Sequence, residues 1–147
     1  GGRWSPGRGG KGRACLQGGV EVQGAASQAV VDCWPLKDGH RVLDFCAGGG
    51  GKSLAMAAAA KVSITAHDID NKRMNDLPGR AKRAGVAIEI ASRAELAAHR
   101  FDLVLCDVAC SGSGAWRRSP EAKWALTPRR LVELCQIQAQ ILADSRV

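Results

Sequence analysis

No apolar run in this chain approaches the roughly 20 residues that a membrane-spanning helix needs, so no membrane partner is expected. The apolar stretch Leu54 to Ala60 is short and alanine-rich, and reads as part of a buried helix. The leading sequence GGRWSPGRGGKGR has no apolar h-region, so no secretory signal is expected. Six cysteines are present: Cys15, Cys33, Cys46, Cys106, Cys110 and Cys135. None forms a Cys-x-x-Cys pair and no histidine stands at zinc-finger spacing, which argues against a metal site. The expectation is a reduced, cytoplasmic protein with mostly structural thiols. No internal repeat is present.

What remains is the composition of one soluble domain. The 147 residues are 46% hydrophobic and 24% charged, enough for a core of their own. The formal net charge of +7 favours a polyanionic partner without naming one. Residues 1–14 hold six glycines and four Lys/Arg, so residues 1–17 read as a flexible, basic, glycine-rich lead-in. Residues 18–147 read as one partial domain.

From residue 41 the pattern alternates. Arg41–Phe45, Val62–Ala66, Val86–Ile90 and Leu103–Cys106 read as strands. Ser27–Cys33, Lys52–Ala60, Asn71–Ala84, Arg93–His99 and Pro128–Ser145 read as helices, the third kinked or restarted at Pro78-Gly79. Thr127 is placed as an N-cap before Pro128. The last helix has a stripe through Leu131, Leu134, Cys135, Gln138 and Ile141-Leu142. Strands alternating with helices imply an α/β fold, a parallel sheet with helices on both faces. The expected order is 3-2-1-4, with ligands collecting beyond Phe45 and Cys106 at the switch point.

The unusual residues stand at those two places. Asp44-Phe45-Cys46-Ala47-Gly48-Gly49-Gly50-Gly51-Lys52-Ser53 joins the first strand to a helix. Consecutive glycines allow positive φ and close backbone approach to a ligand. The helix that follows offers N–H groups to an anionic or polar group. Gly51-Lys52-Ser53 matches the end of a phosphate loop, but the leading glycine of that motif falls at Cys46. Asp68, about 20 positions past the turn, is placed to accept from ribose hydroxyls. Asp70 reads rather as the cap of the next helix. The fourth strand delivers Asp107 and Cys110 to its C-terminal end. A basic loop follows, with Trp116, Arg117, Arg118, Lys123 and Trp124, suited to phosphates and stacked bases. Arg129 and Arg130 extend it. Of the two tryptophans, Trp124 is the one expected to pack at the loop base.

CAGGGGKS, AHDID and DVACSGSGAWRRSPEAKW resemble the motifs of RNA (cytosine-5) methyltransferases of the bacterial 16S ribosomal RNA type. EVQGAASQ (Glu21 to Gln28) is similar to a segment that precedes the catalytic domain in that family. The resemblance implies a Rossmann-like fold, S-adenosyl-L-methionine as cofactor and ribosomal RNA as partner. It implies that Cys46, Ala47, Gly48, Gly49, Gly50, Gly51 and Lys52 hold the cofactor, that Asp68 takes its ribose, and that Asp107 stands beside cofactor and base. Cys110 would be the first of two active-site cysteines, assisting product release. Trp116, Arg117, Arg118 and Lys123 would lie near RNA.

The sequence departs from that pattern in several places. Ala109 stands where the family has proline before the cysteine, and Gly49 where it has proline in the turn, so both segments lose backbone restriction. Gly24 replaces an aspartate. Ala91-Ser92 stand where an acidic residue follows the third strand. The attacking cysteine of the family lies in a Thr-Cys-Ser segment that these residues do not contain. The chain therefore reads as a methyltransferase domain whose C-terminal strands are missing, with weak or no turnover expected of it alone. A non-catalytic RNA- or cofactor-binding module, or a phosphate-loop protein, is the alternative.

Overall fold

Arg41–Asp44 forms a central strand because neighbouring elements cover Val42 and Leu43 on its two faces. The computed structural model describes residues 25–117 and 119–146. In it, β1 (Arg41–Asp44) lies between β2 (Ser63–Ala66) and β4 (Leu103–Leu105), with β3 (Ile88–Ile90) beyond β2. All three pairings are parallel, giving the order β3-β2-β1-β4. Asp44 registers with Ala66 on one side and Leu105 on the other. The expected 3-2-1-4 sheet is therefore present. The lead-in (1–17) and the first half of EVQGAASQ (21–24) lie outside the described residues.

Successive strand residues face opposite sides. Val42 packs with Val31 of α1 (Ala25–Asp32) and Met56 of α2 (Gly51–Ala59) on one face. Leu43 and Phe45 pack on the other, with Leu96 of α4 (Arg93–Leu96) and Ile141 of α6 (Pro128–Asp144). A third cluster joins Leu54 of α2 to Leu77 and Ala81 of α3 (Leu77–Ala84). A one-turn helix, α5 (Ala122–Ala125), precedes α6. Among the described residues no helix is long and apolar enough to cross a membrane.

Several boundaries differ from the sequence reading. The helix expected over 71–84 is two pieces, a 3-10 turn at Asn71–Met74 and α3 from Leu77. Pro78 stands in the first turn of α3, where its missing N–H costs nothing, so the break comes before it rather than at it. The third strand starts at Ile88, not Val86, whose N–H instead closes the end of α3 on Ala81 O. The Arg93 helix ends at Leu96. Thr127 caps α6 as expected, its Oγ1 accepting from Arg130 N at 3.1 Å.

Candidate active site

The turn between β1 and α2 needs glycine for two separable reasons. Gly48 and Gly50 have φ of +52° and +76°, the left-handed region. A Cβ on Gly50 would also stand 2.2 Å from Leu77 Cδ1, deep inside contact distance. The turn is closed by Gly50 N donating to Ala47 O at 2.8 Å, and hung on β2 by Ala47 N donating to His67 O at 2.9 Å.

Asp68 follows β2 and reaches back to this turn. It is 2% exposed. Its Oδ2 accepts from Gly48 N at 2.9 Å and faces Arg73 Nη1 at 3.2 Å. Its Oδ1 accepts from Asp70 N at 3.0 Å and from Arg73 Nη1 at 3.4 Å. A carboxylate offers about four acceptor directions, and hydrogen bonds from three nitrogens of its own chain already take three of them at Asp68. Asp70 is the helix cap that the sequence suggested, its Oδ1 accepting from Lys72 N at 3.1 Å. Between the two aspartates, Ile69 is 97% exposed, an apolar shelf beside a polar cradle.

The turn and the β4 end meet through Lys52 and Asp107. Lys52 Nζ is in direct ion-pair contact with Asp107 Oδ2. A lysine paired with a carboxylate is poorly placed to receive a phosphate. Below the pair, Asp44 is 1% exposed and accepts from Ser53 Oγ at 2.6 Å through Oδ2. Its other oxygen has no partner. Burial pushes the Asp44 carboxyl up to about 6, against the Ser53 hydrogen bond and helped by the charge of Asp107. Burial likewise pushes the Cys46 thiol up to about 11, with Cys106 and the aspartates adding to it. Cys46 is thus a neutral thiol at physiological pH and no nucleophile.

Cys110 is exposed, its Sγ accepting from Gly112 N at 3.4 Å. Beyond it, the tryptophans reverse the expected order. Trp124 is 81% exposed, with Lys123 Nζ 5.7 Å from its ring centroid. Trp116 is half-buried and its indole Nε1 is buried without a partner. The one-turn α5 is too short to give Trp124 a packing surface. Arg117 is exposed and Arg118 lies outside the described residues. Arg129 and Arg130 both turn to Glu133, at 3.1 and 3.3 Å.

Three groups were not singled out from the sequence, and a fourth, Asp44, was named only as the start of the glycine-turn run. Asp44 read as part of an apolar strand. Arg80 donates from Nη1 to Gly49 O, and Arg73 lies over Gly48; neither contact follows from spacing. Glu95 brings a carboxylate to the end of β3, where Ser92 N donates to its Oε2 at 2.7 Å. The Ser92 hydrogen bonds hold the Glu95 carboxyl below its usual range. Ser92 with Glu three positions later is a capping-box signal that sequence alone could have flagged.

Residues 33–146 match the family described as 16S rRNA methyltransferase RsmB/F. The chain belongs to that family. It is 35% identical over 133 residues to the ribosomal RNA small subunit methyltransferase B of Klebsiella pneumoniae subsp. pneumoniae, across 86% of this chain and 31% of that protein. It is 33% identical to the protein of the same description from Yersinia enterocolitica, across 85% and 31% of the two chains. The chain thus spans about a third of the length of these relatives. Among solved structures, PH0851 superposes with a TM-score of 0.82 at 29% identity, over 96% of this chain and 34% of its own. NSun6 from Pyrococcus horikoshii, solved with SFG, superposes at 0.60 and 23% identity over 68% and 28%, a likeness of fold. The fold is the Rossmann-like one of methyltransferases.

Proposed function

We propose that this family member is an S-adenosylmethionine-dependent methyltransferase domain directed at C5 of cytosine in ribosomal RNA. The observation that carries the reading is the Lys52–Asp107 contact. It joins the glycine turn to the strand end bearing Cys110, so that one site holds both a cradle and a thiol. The residues fit the cofactor. The glycines leave an open cradle that a Cβ at Gly48 would crowd against Arg73, and the turn and α2 bring N–H groups to it. Ile69 offers an apolar surface beside it. When bound, the cofactor supplies an electrophilic methyl group.

The chain's own residues supply placement and charge. Gly48, Gly49, Gly50 and Gly51, with Cys46, Ala47 and Lys52, form the cradle. Asp107 faces the cradle and the base together. Asp68 orders the turn, and takes a ribose hydroxyl through the acceptor direction that its three hydrogen bonds leave. C5 of cytosine is a weak nucleophile until a thiolate adds at C6. In this reading Cys110 is the assisting thiol, and the attacking thiol belongs to the Thr-Cys-Ser segment of the family. A target base must be single-stranded or flipped to reach the site. Arg117, Arg118 and Lys123 meet phosphates, and Trp124 rather than Trp116 offers an open stacking face. Residues 18–147 then form the partial domain behind a basic lead-in of residues 1–17, and the place of work is the cytoplasm.

Calorimetry with S-adenosylmethionine tests this reading. Affinity should survive Cys110→Ala and fall at least about tenfold in Asp68→Ala, the usual scale of losing a charge-assisted contact set. RNA binding without cofactor affinity would favour a non-catalytic module, and ATP binding that depends on Lys52 would favour a phosphate loop. Transfer of labelled methyl to 16S RNA by these 147 residues alone would make Cys110 the attacking thiol.

A further inference from the structure

Helix α6 docks through one narrow stripe. Leu134 and Ser145 are buried, while Gln138 and Ile141 are half-buried. Those positions recur at intervals of four, three and four, a single face of an α-helix. Ile141 packs on the cluster of Leu43, Phe45 and Leu96, with Cys46 and Cys106 at its margin. Gln138 is the one long polar side chain in this docking face. A carboxamide placed there costs free energy unless it is hydrogen-bonded.

It is bonded, and to an informative atom. Gln138 Nε2 donates to Ala109 O at 2.8 Å. That carbonyl belongs to the peptide joining Ala109 to Cys110. The other hydrogen bonds of the segment are local: Gly112 N to Cys110 Sγ and Ser113 N to Ser111 Oγ, both at 3.4 Å. Among the described residues, the Gln138 bond is the one hydrogen bond that ties 108–111 to another element. Ala109 itself leaves φ of this segment unrestrained by a ring.

We propose that Gln138 is a positioning residue for Cys110: its carboxamide grips the Ala109–Cys110 peptide and sets where the thiol stands relative to Asp107 and the cofactor cradle. The importance of that thiol rests on the function proposed above; the tether does not. A docking role alone would be served as well by an apolar side chain of the same length, and this separates the two explanations.

The test is Gln138→Met in the 147-residue chain, with Gln138→Glu as the variant that keeps the polarity and loses the donor. Backbone 15N relaxation should show order parameters at 109–111 falling from about 0.85 toward 0.6, the rigid and flexible limits, with those of β1 and β4 unchanged. The thermal midpoint of Gln138→Met should hold or rise, because the one long polar side chain of the stripe becomes apolar. Iodoacetamide labelling of Cys110, followed by peptide mass spectrometry, should change at least about twofold in rate, with exposed Cys33 as the control. Unchanged order parameters and labelling in a folded Gln138→Met or Gln138→Glu chain overturn the positioning role. Absence of methyl transfer by longer chains of the family member removes the functional reading and leaves these readouts standing.

Discussion

Ser53 Oγ donates to Asp44 Oδ2 at 2.6 Å, beneath the glycine turn and out of reach of solvent. One hydroxyl thus links the first turn of α2 to the last residue of β1. The aspartate it holds has a second oxygen with no partner and a carboxyl pushed up to about 6 from an ordinary 3.8.

That raised value has a pH signature. Between about 3.8 and 6 the folded chain binds more protons at Asp44 than the unfolded one. The stability from this group is therefore complete below the lower value and is lost as pH rises through the upper one. At about 1.4 kcal/mol per tenfold step, the loss is roughly 2–3 kcal/mol. Asp44→Asn removes the titration, so urea midpoints taken from pH 4 to 7 should fall with pH in the parent and run flat for this residue's share in the variant. Parallel curves for the two chains would refute the assignment.

Gly50→Ala should be among the most damaging single changes in the molecule. The left-handed backbone costs about 1–2 kcal/mol for a residue with Cβ. Overlap with Leu77 adds about 1–3 kcal/mol. In a Leu77→Ala background the added cost of Gly50→Ala should shrink to the first part alone, since the backbone cost stays. Denaturant titration of the two variants separates the contributions.

Gly49 and Arg80 should couple. A Cβ at Gly49 would stand 3.1 Å from Arg80 Nη1, tighter than ordinary contact, and Gly49 has no positive φ to defend. Gly49→Ala should therefore cost stability in the parent chain. In an Arg80→Ala background it should be neutral or mildly stabilising, because it restricts the unfolded chain. The expected coupling is about 0.5–3 kcal/mol, read from a double-mutant cycle in urea. Additivity would show that the guanidinium does not pin the turn.

Asp68→Asn should harm fold and cofactor affinity together. An amide nitrogen in place of one oxygen would face a donor, either Gly48 N or Asp70 N. Leaving such a buried donor unsatisfied costs about 1–3 kcal/mol. Calorimetric unfolding with and without S-adenosylmethionine measures both effects. Lost affinity at unchanged stability would mean that Asp68 serves the ligand alone.

The sheet was legible in advance because its signals are local. Runs such as Val42-Leu43 and Ile64-Thr65 are β-branched or apolar, and the right-handed crossover rule orders them. The glycine turn and the Asp107–Cys110 segment were legible as motifs. Contacts across the chain were not. Lys52 meets Asp107 across 55 positions, and Arg80 meets Gly49 across 31, through long flexible side chains whose direction no periodicity encodes. Trp124 misled for a related reason: its neighbours in sequence form a single helical turn, and burial depends on what packs from elsewhere. The behaviour of Asp44 was hidden by the strand around it, since a residue one step from apolar neighbours gives no sign that burial will push its carboxyl up.

The strand order carries a consequence for synthesis. Three of the four strands, β1 to β3, lie within residues 41–90 and pair among themselves on one side of β1. On a chain made from its N-terminus, the glycine turn, Asp68 and Arg80 can come together before Leu103–Leu105 has left the ribosome. Asp107, Cys110 and Gln138 arrive afterwards, along the opposite edge of β1. A nascent chain caught between those two moments would hold a formed cradle with no thiol facing it.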